Sequence, residues 1–232
     1  SHGQILFGDD EDPDKGVVGY DQSTDKMYIR VNGSADKSFI IDVNSRISLS
    51  NNGGEATNTI FGYQAGNTIH SSSGMNTFIG HQVADTSNHA DADENTAVGY
   101  LALSNLTSGA KNISIGSYSG INITSGDENV LIGRSAGNAF NSSDLVAVGT
   151  ATLASITDAN CDGTVAVGYQ ALTALTEGIG NTALGNQSAD SLTTSGYNTA
   201  VGYQALSSEV QGTHNVALGY QALFSQNKGS AV

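Results

Sequence analysis

The chain has 232 residues, with 22 acidic against 8 basic side chains and a formal net charge of −14. That imbalance argues against nucleic acid and anionic membrane surfaces as partners, because both need clustered Lys and Arg, and no run of about 18 apolar residues is present to span a bilayer. A single proline among 29 glycines excludes a collagen triple helix, and the lone Cys161 excludes an internal disulfide or a multi-cysteine metal site.

In chain order, Ser1-His2-Gly3 (residues 1–3) reads as a protease scar from an expression tag, outside the fold. Residues 4–50 carry no repeat. Gly16-Val-Val-Gly-Tyr20 and Lys26-Met-Tyr-Ile-Arg-Val31 read as strands around the turn Asp21-Gln-Ser-Thr-Asp25. Asn32-Gly33 is a hairpin-turn signal, and Ser38-Phe-Ile-Ile-Asp-Val43 reads as another strand. This short antiparallel β segment is expected to cap or attach the array that follows, since an uncovered sheet edge invites aggregation.

From 51 to 232 the chain repeats itself. Asn198-Thr-Ala-Val-Gly-Tyr-Gln-Ala-Leu206 recurs as Asn215-Val-Ala-Leu-Gly-Tyr-Gln-Ala-Leu223, with earlier forms at 58–66 and 95–103. The central glycine marks ten copies: Gly62, Gly80, Gly99, Gly116, Gly133, Gly149, Gly168, Gly185, Gly202 and Gly219, spaced 16 to 19 residues apart. Helical repeats need periods of 33 or more, so the spacing predicts an all-β parallel solenoid of about ten coils, a rod of roughly 50 Å at one strand spacing per coil. Three residues before the glycine every copy is β-branched, and one residue before it every copy is apolar. Side chains alternate with period two, so these two slots share one face of a strand and are expected to face the chain's own core.

The slot between them points the other way. It holds Ala97, Leu131, Ala147, Ala166, Ala183, Ala200 and Ala217, with Ile60, Phe78 and Ser114 in the other copies, and is never charged. A strand hidden on both faces needs a second cover, so these residues are expected to form a subunit interface. A second short strand is expected after each glycine, where small residues such as Ala65, Ala102 and Ala171 stand three positions on. The slot opening each copy is Asn in all but Leu145 and Thr164, which fits either a ladder of stacked amides or a turn preference.

The Asn-Thr-Ala-Val-Gly-Tyr-Gln-Ala unit resembles the head repeats of YadA-like trimeric autotransporter adhesins, with Asn129-Val-Leu-Ile-Gly133 the nearest copy. It is also similar to units in predicted tail-fibre proteins of marine bacteriophages, and Ile5 to Val31 looks like the region preceding them. The resemblance implies a left-handed β-roll with three chains side by side: a homotrimeric structural and adhesive fibre module for host attachment, on a virion tail fibre or otherwise extracellular. A bacterial surface adhesin head is the alternative reading, and a glycan-degrading tailspike a further one. No stalk or membrane anchor follows Val232, so the chain is expected to be a fragment or to attach elsewhere.

Catalytic and cofactor sites are not expected. His70, His81, His89 and His214 share no spacing with Ser or Asp partners, and the acidic runs 85–94 and 9–14 lack the calcium-loop pattern. Tyr63, Tyr100, Tyr169, Tyr203 and Tyr220 recur just after the glycine, often followed by Gln. They are candidates for contact with a host glycan or protein receptor, or else pack on one another one coil away.

Overall fold

A computed structural model describes residues 2–7, 16–23, 26–31, 38–41, 47–49, 57–138, 141–157, 161–208 and 211–225. It is all-β, in two sheets. The first is antiparallel, with strands β1 (His2–Phe7), β2 (Gly16–Asp21), β3 (Lys26–Val31), β4 (Ser38–Ile41) and β5 (Ile47–Leu49) in sequential order. The two expected strands and the third are present; the Asn32-Gly33 turn lies outside the described residues. At the β2–β3 turn, the backbone N–H and hydroxyl of Ser23 both donate to Asp21 Oδ1, at 2.9 and 2.6 Å. His2 and Gly3 pair with Asp21 and Tyr20, so residues set aside as a tag remnant belong to β1.

The second sheet holds ten three-residue strands, one per repeat: β6 (Thr59–Phe61), β7 (Thr77–Ile79), β8 (Thr96–Val98), β9 (Ile113–Ile115), β10 (Val130–Ile132), β11 (Val146–Val148), β12 (Val165–Val167), β13 (Thr182–Leu184), β14 (Thr199–Val201) and β15 (Val216–Leu218). Each pairs in parallel with the next and in strict register, slot upon slot: Ala97 stands between Phe78 and Ser114. The result is a parallel solenoid of about nine turns.

The register places the marker glycines in one column, where a side chain cannot be accommodated. Gly99 has φ +141°, and a Cβ on it would lie 2.5 Å from the carbonyl oxygen of Gly116 in the next coil. Gly219 ends the column with φ +123°, and a Cβ there would meet nothing within 4 Å.

No second strand follows the glycine. In every coil the residues two and four positions on have positive φ, as at Leu101 (+56°) and Leu103 (+49°), which is incompatible with an extended chain. Stacking persists nonetheless, because the N–H of Leu101 donates down to His81 O and that of Leu103 donates up to Ser119 O, both at 3.0 Å. The residue three past the glycine does point inward, and the narrow interior expected there is present: Val83, Ala102, Ser119 and Ala171 are buried.

The core is one seam running up the inside of the coils. The middle strand residue, the residue four past the glycine and an apolar residue seven past it (Leu106, Ile123, Ile156, Leu175, Leu192) fill it together. The first two exchange volume. Where the strand supplies Ala97, Ala147, Ala166 or Ala200, the turn supplies buried Leu103, Leu153, Leu172 or Leu206; where the strand supplies Leu131, the turn has Gly137. A Cβ on Gly137 would fall 2.2 Å from the Leu131 side chain, so the large residue occupies the space the glycine leaves.

Candidate functional site

The two faces of the strands are the reverse of what the repeat suggested. Ala97, Leu131, Ala147, Ala166, Ala183, Ala200 and Ala217 are all at most 1% exposed within a single chain. They line the chain's own core and are not available as a subunit interface. The middle slot packs across a narrow interior against the turn residue four past the glycine, so Ala97 goes with a turn Leu and Leu131 goes with Gly137. The flanking slots look outward instead. Phe61 is 66% exposed, Leu184 48% and Leu218 76%, with Ile79, Ile115 and Ile132 also exposed.

This outward face is the most unusual surface of the solenoid. Two flanks in each of ten strands give twenty positions, and every one is Thr, Val, Ile, Leu or Phe. Aligned in register, they form a continuous apolar and threonine-bearing strip along the rod. Monomeric proteins seldom expose apolar patches beyond a few hundred Å². The strip's only polar groups are threonine hydroxyls.

Beside the strip runs a buried amide ladder. Asn112 Oδ1 accepts the backbone N–H of Asn129 at 3.1 Å and its side-chain Nδ2 at 2.9 Å. Asn112 Nδ2 in turn donates to Asn95 Oδ1 at 3.0 Å and Gly126 O at 2.9 Å. The same pattern joins Asn58, Asn76 and Asn95, and again Asn181, Asn198 and Asn215. Of the two readings of this slot, the ladder is the one present. Leu145 accepts nothing from the coil above, and Thr164 offers its hydroxyl to Asn181 N–H at 3.4 Å.

The tyrosines recurring after the glycine are exposed, and several lean on rings in neighbouring coils. Tyr63 lies 5.1 Å from His81, His81 lies 5.3 Å from Tyr100, and Tyr203 stacks on Tyr220 at 5.4 Å and 12°. Tyr118, edge-on to Tyr100 and hydrogen-bonded to it, raises the Tyr100 phenol above its ordinary pKa. Tyr169 stands alone, with Thr150 and Asn186 in its slot on either side. Glutamines at the next position form a parallel ladder, with Gln82 donating to Gln64 at 3.1 Å and Gln221 to Gln204 at 3.0 Å. Where rings stack they cover each other's faces, leaving edges and hydroxyls toward solvent.

No catalytic constellation forms from the histidines. His70, His81, His89 and His214 are all exposed, and His89 Nδ1 lies 3.3 Å from Asp91. Asp93 is occupied by the N–H of Gly74 at 2.6 Å, and among the described residues no three His, Cys, Asp or Glu side chains gather around a possible metal position. The acidic run 9–14 lies outside the described residues. Cys161 is buried and not disulfide-bonded.

What the sequence did not reveal was the outward strip, although the signal was present: twenty uncharged flank positions. No protein-family model matches the chain, and neither a curated protein nor a solved structure was found similar to it.

Proposed function

We propose that the solenoid is a fibre module whose apolar strip packs against copies of itself, three chains side by side, in a shaft that presents an attachment surface outside the cell. The observation that carries this reading is the strip. Ten successive copies admit no charged side chain at either flank, although both flanks look away from the chain's own core. Burying such a strip gives roughly 25 cal/mol per Å² of apolar area, the driving force a side-by-side assembly needs. The number three, the left-handed coil and the placement on a phage tail fibre come from the resemblance to YadA-like heads. A bacterial surface adhesin would use the same architecture.

Self-association also fits the polar inventory. A chain of net charge −14 repels its copies, so the contact must lie where charge is missing. Light scattering should give about three times the 23.7 kDa chain mass. Placing lysines on the strip, at Ile115 and Ile132, should return single chains with the coil fold intact. A wild-type chain that is monomeric at all accessible concentrations would overturn the reading, and release of reducing sugar from a host polysaccharide would replace it with the tailspike one.

A further inference from the structure

The corner just past the glycine column is aromatic toward both ends of the stack and bare in the middle. Tyr63, His81 and Tyr100 stand in successive coils below, and Tyr169 stands above; between them the same slot holds Ser117, Arg134 and Thr150. The backbone does not break across this gap. Tyr118 N–H donates to Tyr100 O, Ser135 N–H to Ser117 O, Ala151 N–H to Arg134 O and Gln170 N–H to Thr150 O, all at 2.8 to 3.0 Å. Only the side chains shrink, so the corner carries a notch. At one strand spacing per coil, Tyr100 and Tyr169 lie roughly 19 Å apart along the rod.

The notch has two walls and one charge. Tyr118 closes its lower end, edge-on to Tyr100 with ring centroids 5.2 Å apart. Tyr169 closes the upper end, half exposed and with no ring in its slot on either side. Arg134 stands exposed between them. Lys111, the other cation of the stack among the described residues, lies 3.5 Å from Glu128, whereas Arg134 has no acidic partner among them. In the coils from Gly99 to Gly168, none of the five residues following the marker glycine is acidic. An unpaired guanidinium between two rings is the one place on this chain of net charge −14 where an anion is attracted locally.

We propose that this notch binds an acidic oligosaccharide of the uronate type, with Arg134 on a sugar carboxylate and the rings of Tyr118 and Tyr169 against sugar faces. The planar guanidinium sets two N–H donors against two carboxylate oxygens, a match that Lys does not give. Aromatic faces carry negative charge density that the C–H groups on a pyranose face complement. Ser117, Ser135 and Thr150, half-buried in the floor, bring hydroxyls for those of the sugar. A single sugar does not reach from Arg134 to both tyrosines, whereas a short chain laid along the rod does. An acidic peptide would satisfy the guanidinium as well, but it needs an open strand edge or apolar pockets, and this corner offers hydroxyls on a backbone already paired from coil to coil. The inference rests on reading the rod as an attachment surface and makes no use of the apolar strip.

The test titrates the whole chain with oligogalacturonate, read by amide NMR shifts and by tyrosine fluorescence, which no tryptophan obscures. Saturable binding is expected, with shifts confined to the coils of β9 to β12. Arg134→Gln should weaken it about tenfold or more, and Arg134→Lys nearly as much. Tyr169→Ser should weaken it about fivefold, and Tyr220→Ser should leave it unchanged. The substituted side chains are exposed, so thermal unfolding of each variant should match the wild type. The methyl ester of the same oligosaccharide should bind about tenfold more weakly. No saturable binding at millimolar sugar, equal binding by Arg134→Gln, or an ester that binds as well as the acid overturns the proposal. So does an oligoglutamate peptide that binds through Arg134 where the sugar does not. A chain that is trimeric by light scattering yet fails these titrations keeps its assembly and loses only this ligand.

Discussion

The antiparallel sheet and the parallel stack solve the same problem, holding strand register, by different means. Between β2 and β3 the register follows from a tight turn anchored by Asp21, and the partners are close in sequence. In the stack, successive strands are joined by long loops of unequal length, yet three residues of each strand stay aligned through ten copies. There the register resides in columns: glycine on glycine, amide on amide, alanine over alanine. A local turn tolerates change elsewhere in its strands. A column couples every rung to the next, so one misfit is felt on both sides.

Glycine tests that difference most sharply. Gly99→Ala puts a methyl against the Gly116 carbonyl in a left-handed backbone and should cost about 3–4 kcal/mol. Gly19→Ala, in the antiparallel sheet, meets only the side chain of Tyr28, at 2.5 Å, and should cost about 1–3 kcal/mol as overpacking. Urea unfolding of the two variants should rank them in that order; equal losses would show that the column has no special rigidity.

The volume exchange in the core offers a rescue. Leu131→Ala should lose about 2–4 kcal/mol through its cavity. Adding Gly137→Leu recreates the pairing of Ala147 with Leu153 and should recover most of that loss in thermal unfolding. If the double variant is no better than the single one, the two slots do not share a space. Next comes the amide ladder. Asn112→Ala strands the N–H groups of Asn129 and should cost about 2–3 kcal/mol, with faster hydrogen exchange at Asn129 than at residues two coils away.

The smallest effect is electrostatic. Burial raises the Asp190 carboxyl above its ordinary value, opposed by a hydrogen bond from Ser207. The folded state then holds a proton that the unfolded state releases first, so stability declines as pH rises from the unfolded to the folded value. Asp190→Asn should remove that small slope from a series of urea midpoints across the carboxylate range.

Much of this architecture was legible in the sequence. The period, the three strand slots and the glycine column can be read from the ten copies; the asparagine slot can be read as well, but only the hydrogen bonds such as Asn129 to Asn112 decide for a ladder over a turn preference. The direction of the strand could not be read from alternation alone, because period two says that Thr96 and Ala97 face opposite ways without saying which faces in. When neither face is charged, hydrophobicity fails to decide. Size decides: Ala97 trades volume with Leu103 across the core, whereas Thr96 and Val98 trade with nothing. The turn after the glycine was misread as a strand because small, β-branched residues fit both, and only the positive φ values at Leu101 and Leu103 separate them.

The lapse of the amide ladder between Leu145 and Thr164 bears on how the rod yields. A pull along the long axis loads the rungs in series, so the weakest one sets the breaking force. With its side-chain rung absent, the β11–β12 step is where a stretched rod would part first, leaving six coils folded on one side and four on the other to close again when tension falls.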